Sequence, residues 1–180
     1  MRLFIAIPID ESVRKTLSKL KFEDKNLRWV PAENLHITLQ YVGNLKQSVA
    51  ENLASELGQI TFSSFQLSVQ NIGTFPQSDN PAVLWAGVEA PRKLWALQQK
   101  VANVTEKNGG EPDHREYNPH ITLAKVKSSY ADSKQLQLFL KNWQQKFGSM
   151  RADCFILYKS ILNENGAIHV EYKEYRSMDY

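Results

Sequence analysis

Two copies of one tetrapeptide, His-Ile-Thr-Leu, stand at 36–39 and 120–123 of a chain of 180 residues. In an extended strand alternate side chains share a face, so His36 and Thr38 point one way while Ile37 and Leu39 point into a core. His120 and Thr122 repeat the arrangement against Ile121 and Leu123. An imidazole titrates near neutrality and can carry either protonation state there. Two of them across one site could therefore take a proton from a nucleophile and give one to a leaving group. A threonine two residues on adds a hydroxyl donor on the same face, suited to a non-bridging phosphoryl oxygen. Phosphoryl transfer needs this combination, because protons move at both ends of the displacement and charge builds on the oxygens between. One His-x-Thr alone is a weak signal, and its recurrence in a matching context gives it weight.

The surrounding elements repeat as well. The run Leu3 to Ile7 reads as a buried strand, and Asp10 caps a helix with Val13, Leu17 and Leu20 on one stripe. The first motif strand, Leu35 to Val42, ends at Gly43. A capping box at Ser48 to Glu51 opens a helix through Leu53, Leu57 and Ile60, and Phe65 to Gln70 alternates as a strand with one wet face. After a polar loop at Pro76 to Pro81 the order restarts. Val83 to Val88 is a strand, and Pro91 opens a helix through Leu94, Leu97, Val101 and Val104 that closes at Gly109. The second motif strand then runs from Pro119 to Val126. A helix capped by Asp132 is expected to carry Leu136, Phe139, Leu140, Trp143 and Phe147 and to stop at Gly148. Cys154 to Leu162 and Ala167 to Tyr175 form a hairpin about Asn165-Gly166.

The pattern predicts one domain spanning 1–180, an α+β fold of two pseudo-symmetric, intertwined halves. Composition is that of an ordinary globular chain, and a net charge of +3 tolerates an anionic ligand without the density of a nucleic-acid coat. A single cysteine excludes an intramolecular disulfide and fits a reducing compartment. The apolar opening is too short for a membrane span, so the expectation is a cytoplasmic monomer with no membrane or protein partner. No cysteine cluster or His-x-x-x-His helix offers a metal site, and no Gly-x-Ser-x-Gly elbow offers a serine nucleophile. No metal or other cofactor is expected.

Other residues divide into candidates and background. Arg115, close before the second motif, could reach a substrate phosphate. Trp29, beside Arg28 and ahead of the first motif, is a candidate cleft contact. His114 reads as solvated. His169 alternates onto a polar face with Glu171 and Lys173. Trp85, Trp95, Trp143 and Cys154 read as core. Whether Arg28, Arg115, Lys125 and Lys127 form one patch is open at this level.

Together, Arg2 to Ile7, Trp29 to Leu39 with Val42-Gly43, Val83 to Val88, and Tyr117 to Lys125 resemble the two-histidine phosphoesterase superfamily. The wider context looks like that superfamily's branch of RNA 2',3'-cyclic phosphodiesterases, once described as 2'-5' RNA ligases. Two positions depart from that pattern: Tyr41 stands for a usual phenylalanine, expected to face the core with Ile37 and Leu39, and Lys125 for a common arginine. The resemblance implies a bilobal fold, two antiparallel sheets facing a central cleft with helices outside. It implies metal-independent opening of an RNA 2',3'-cyclic phosphate end, or of a cyclic nucleotide, to a 2'-phosphate. His36 would be the proton donor, His120 the proton acceptor, and Thr38 and Thr122 the phosphate-binding hydroxyls. Another small cyclic phosphate, 2'-5' ligation and RNA-end binding without turnover are the alternative readings.

Overall fold

The computed structural model describes residues 1–75, 83–111, 115–127, 134–141, 144–164 and 166–179. The expected loop at Pro76 to Pro81, the Asp132 cap, His114, Trp143 and Asn165 lie outside the described residues, as does the side chain of Leu136. In chain order the elements are β1 (Arg2–Pro8), α1 (Glu11–Ser18), β2 (Leu27–Trp29), a 3-10 turn (Ala32–Asn34), β3 (His36–Asn44) and α2 (Gln47–Leu57). There follow β4 (Phe65–Phe75), β5 (Val83–Glu89), α3 (Arg92–Lys107), β6 (His120–Val126), α4 (Lys134–Lys141), β7 (Lys146–Ala152), β8 (Cys154–Asn163) and β9 (Gly166–Arg176).

The expected α+β class is what the chain adopts. Its strands run antiparallel in the order β7-β4-β5-β6-β3-β1-β8-β9, with β2 on β6. The two sheets of the expectation are two halves of one curled sheet, joined where β3 meets β6 through the register pair Ile37 and Ile121. Both isoleucines are fully buried. They belong to a core that includes Ile5 and Leu39 of one half and Leu84 and Val69 of the other, covered by Val13 and Leu17 of α1, Leu53 and Leu57 of α2, and Leu94, Leu97 and Val101 of α3. The helices cross between halves: α1 packs on β7 and α3 on β3. Among the described residues no helix is long and apolar enough to cross a membrane.

Local chemistry explains most boundaries. The Asp10 carboxylate accepts from the Val13 N–H at 2.8 Å, the expected cap of α1. Gly109 takes a left-handed φ of 77° just past α3, which an L side chain resists. Two boundaries differ from the sequence expectation. Helix α2 starts at Gln47 with Lys46 at the cap position and no side-chain cap, so Ser48 is inside the helix rather than capping it. Helix α4 ends at Lys141, and Phe147 and Gly148 belong to β7. The Phe147 side chain is buried from a strand, and Gly148, at φ 136°, pairs with Val69 of β4. A β-carbon there would meet Val13 Cγ2 at 3.2 Å, so the glycine serves the contact of β7 with α1 rather than a helix end.

Candidate active site

The motif strands show the same burial sequence, residue for residue, from His36 to Tyr41 and from His120 to Lys125: half-buried, buried, half-buried, buried, buried, exposed. The doubled buried step has a structural cause. Between Ile5/Gln40 and Ala6/Thr38 the register of β1 with β3 skips Leu39, and between Leu84/Ala124 and Trp85/Thr122 that of β5 with β6 skips Leu123. Each skip is a β-bulge, which inserts one residue and resets which face the next side chain takes. Tyr41 is consequently 57% exposed, correcting the expectation that it faces the core with Ile37 and Leu39. Lys125 holds the same place in the second copy.

Paired residues in an antiparallel sheet share a face. With Ile37 and Ile121 paired and facing the core, His36, Thr38, His120 and Thr122 share the opposite face. The register through this pair sets His36 against Thr122 and Thr38 against His120, so an approximate two-fold axis relates the two motifs. The structure thus brings together the four residues singled out by the repeat.

Each imidazole is clamped in the same way. His36 Nδ1–H donates to the Asn34 carbonyl at 2.7 Å, and His120 Nδ1–H to the Asn118 carbonyl at 2.7 Å. A carbonyl only accepts, so the proton of the neutral ring sits on Nδ1 and Nε2 is left as the nitrogen with a lone pair. The acceptor in each case is a main-chain carbonyl, which any residue offers, so the side chain at 34 or 118 carries no sequence signal for this clamp.

The surroundings of the two rings differ. The His36 ring centroid lies 4.9 Å from that of Phe4, 6.5 Å from Tyr158 and 5.5 Å from His169, which meets it edge-on. Burial first, then the nearby charges of His169 and His120, pushes the His36 pKa down to about 4, against a raising hydrogen bond to Asn34. His120 is also lowered, chiefly by burial and further by the positive charge of Arg115, while the Asn118 bond opposes the shift. Its ring meets Phe75 edge-on at 5.0 Å and lies 6.4 Å from Trp85. Tyr117 ties the second motif loop to the first strand by donating to the Thr38 carbonyl at 3.1 Å.

Several sequence expectations change here. His169 is not grouped with Glu171 and Lys173 on a solvated face. It packs edge-on against Phe4 at 4.7 Å and against His36, with its Nδ1 buried and unpartnered. Glu171 keeps the same face, paired with Tyr158, while a bulge between Glu171 and Lys173 in the pairing of β9 with β8 turns Lys173 to the other face. Trp85 pairs with Thr122 and so stands on the histidine face, its indole lying over Gly73 of β4 and against Phe75. Trp95 is 36% exposed, edge-on to Tyr117, rather than core. Trp29 does the reverse: it pairs with core-facing Ala124, packs on Phe22 and Phe139, and donates Nε1–H to the Phe22 carbonyl at 2.9 Å. Trp29 is therefore no cleft contact. Cys154 is half-buried and its thiol is pushed up to about 12, first by burial, which suits an unreactive thiol. Among the described residues no group of three or more His, Cys, Asp or Glu side chains could hold a metal ion.

Comparison with known proteins gives the chain a family. The family model of the 2'-5' RNA ligase superfamily matches residues 9–157. The chain is 31% identical over 172 residues to an RNA 2',3'-cyclic phosphodiesterase of Archaeoglobus fulgidus, covering 94% of this chain and 96% of that protein. It is 31% identical over 180 residues to one of Methanocaldococcus jannaschii, covering 97% and 100%. A crystal structure described as a phosphoesterase superposes with a TM-score of 0.82 at 25% identity over 98% of this chain and 97% of that one. Escherichia coli LigT in complex with 3'-AMP shares the fold, with a TM-score of 0.83 at 24% identity over 99% and 98% of the two chains. The chain belongs to the 2'-5' RNA ligase superfamily of two-histidine phosphoesterases.

Proposed function

We propose that this protein hydrolyses RNA ends that carry a 2',3'-cyclic phosphate to 2'-phosphates, without a metal ion, with His36 as proton donor and His120 as proton acceptor. The observation that carries the reading is the pair of identically clamped imidazoles set on one sheet face by Ile37 and Ile121. The names and near-complete coverage of the archaeal relatives support the substrate class.

In the proposed reaction water loses a proton to His120 Nε2 as its oxygen attacks phosphorus. The P–O3' bond breaks, and O3' takes the proton carried by His36 Nε2. The phosphate stays on O2'. Thr38 and Thr122 donate hydroxyl hydrogens to the non-bridging oxygens, where charge builds. Both histidines are lowered in the free protein, so the ordinary state near pH 7 is two neutral rings. The phosphodiester anion raises the pKa of an adjacent imidazole, and His36 gains its proton together with the substrate. Arg115 contributes from the other side: its charge disfavours the imidazolium of His120 and so keeps the acceptor free. A direct contact of Arg115 with the substrate phosphate is part of the same proposal.

The test is turnover of an oligoribonucleotide ending in a 2',3'-cyclic phosphate, with the position of the product phosphate determined. Replacing either histidine by alanine removes a positioned acid or base worth ~10² to 10⁴-fold each and is expected to abolish measurable activity in a chain that still folds, as read by circular dichroism. EDTA should leave the wild-type rate as it is. Full activity in His120→Ala, or loss with EDTA restored by zinc, refutes the mechanism.

A further inference from the structure

Each imidazole is held by a main-chain carbonyl two residues before it, so its aim is only as fixed as the segment that carries that carbonyl. Before His36 the segment is regular. Ala32–Asn34 forms the 3-10 turn, with the Asn34 N–H donating to the Pro31 carbonyl at 2.9 Å and the Leu35 N–H to the Ala32 carbonyl at 3.2 Å. The Asn34 side chain adds a bond from Nδ2 to the Ala167 carbonyl of β9 at 2.9 Å. Before His120, by contrast, residues 116–119 belong to no helix or strand, and Asn118 is exposed. Pro119 has no N–H with which to close a turn or join a ladder. This stretch is held from its neighbours instead: the Pro119 carbonyl accepts from the Val88 N–H at 3.3 Å, and the Tyr117 hydroxyl donates to the Thr38 carbonyl at 3.1 Å.

The second of these bonds depends on the hydroxyl alone. The Tyr117 ring packs against the core and lies edge-on to Trp95 at 6.2 Å, contacts that a phenylalanine ring would also make. Burial holds the phenol well above its ordinary pKa, so the group stays an O–H donor wherever the histidines titrate. The position three residues before His36 is the exposed Glu33, and the first half sends no such hydroxyl back. The approximate two-fold relation of the motifs is broken at this point.

Both ends of the bond belong to the site. Tyr117 adjoins Asn118, whose carbonyl clamps His120, and Thr38 carries one of the hydroxyls proposed to hold the phosphate. Strands β3 and β6 share the register pair Ile37 and Ile121, and the phenol adds a tie across that seam between the acceptor's clamp and the phosphate's holder. Attack needs the water oxygen, phosphorus and acceptor nitrogen in one set relation. A small misplacement of the acceptor is therefore felt in the transition state rather than in binding.

We propose that the Tyr117 hydroxyl is a positioning group for the proton acceptor: it anchors the Asn118 clamp to Thr38 and so sets His120 Nε2 relative to the phosphate. This rests on the roles proposed above for His120 and Thr38, and adds to them the group that fixes their spacing.

Tyr117→Phe removes the hydroxyl and keeps the ring, and two measurements read the result. The first is turnover of the oligoribonucleotide ending in a 2',3'-cyclic phosphate. Its kcat should fall roughly 10-fold or more with KM unchanged, the pattern of an interaction that counts only in the transition state. The second needs no turnover. In the isotope-labelled free protein above neutral pH, the nitrogen shifts of each ring report its tautomer, with the signals assigned by their loss in His36→Gln and His120→Gln. In Tyr117→Phe the His120 ring should shift from the Nδ1–H form toward the Nε2–H form that an unclamped imidazole favours. The His36 ring, whose clamp is anchored elsewhere, should keep the Nδ1–H form. A hydroxyl that only stabilises the fold would leave both rings as they are. Wild-type kcat in Tyr117→Phe overturns the proposal, as does a rise in KM with kcat unchanged, an unaltered His120 tautomer, or an equal shift of both rings. Absence of wild-type turnover would instead refute the proposed activity, and the tautomer comparison would still decide whether the hydroxyl holds the His120 clamp.

Discussion

At the scale of residues, the two histidines are alike in their clamp and unlike in their burial, and the pH behaviour follows from the difference. The kcat/KM profile reports the free enzyme, where the proposed mechanism requires His36 protonated to donate and His120 neutral to accept. With His36 near 4 and His120 also below its ordinary value, both limbs of the bell are expected on the acid side of pH 6.5. The kcat profile reports the substrate complex. Its limbs should move to higher pH, because the bound anion favours both imidazolium forms. Rates measured from pH 4 to 9 at low and saturating substrate check both statements. The same shift links to stability. The unfolded chain binds a proton at His36 near pH 6.5 and the folded chain only near 4, so this residue's contribution is fully present above 6.5 and is lost as pH falls toward 4. His36→Phe should therefore lose less stability than wild type between pH 7 and 5, as read from denaturant midpoints.

At the scale of elements, the bulges decide what the site looks like. They turn Tyr41 and Lys125 outward, and they give each motif strand two successive buried positions. One prediction belongs to β4. A β-carbon on Gly73 would lie 2.2 Å from Trp85 Cζ2, which only displacement of the indole can relieve. Gly73→Ala should cost about 1–3 kcal/mol by overpacking. It should also lower activity, because the displaced ring lies beside Phe75 and His120, and pairing it with Trp85→Leu should restore stability without restoring full activity. Melting curves and turnover of the single and double variants test this. The sequence carried the strands and helices whose period was clean, such as β1, α1, α3 and the motif strands. It could not carry the bulges, because Leu39-Gln40 and Leu123-Ala124 read as ordinary alternation until a partner strand's register is known. Beta-strand β7 was hidden for a related reason: Phe147 fits a helical stripe, and only its pairing with β4 shows Gly148 as a contact glycine. His169 joined the site for no local reason at all, since only the pairing of β9 through β8 to β1 sets its ring against Phe4 and His36.

At the scale of the molecule, one register pair holds the two motif-bearing halves in relation to each other. The motif repeat in the sequence pointed to two matching units, and their meeting at Ile37 and Ile121 is what converts two weak motifs into one site. Either residue lost to alanine opens a cavity in a fully buried layer and should cost about 2–5 kcal/mol. Because the two side chains fill a shared part of the core, the double variant should cost less or more than the sum by a coupling of roughly 0.5–3 kcal/mol, whereas changes far from each other add. Activity is the finer test. Isoleucine to valine removes one methylene at either position, typically costing about 0.5–1.5 kcal/mol, and leaves the fold intact at moderate temperature. If the seam sets the spacing of the imidazoles, Ile37→Val and Ile121→Val should each lower kcat more than a valine substitution of equal stability cost at Ile5, which lies in the same core but one strand away. Equal kcat for all three at matched stability would mean that the clamps at Asn34 and Asn118 position the rings without help from the seam.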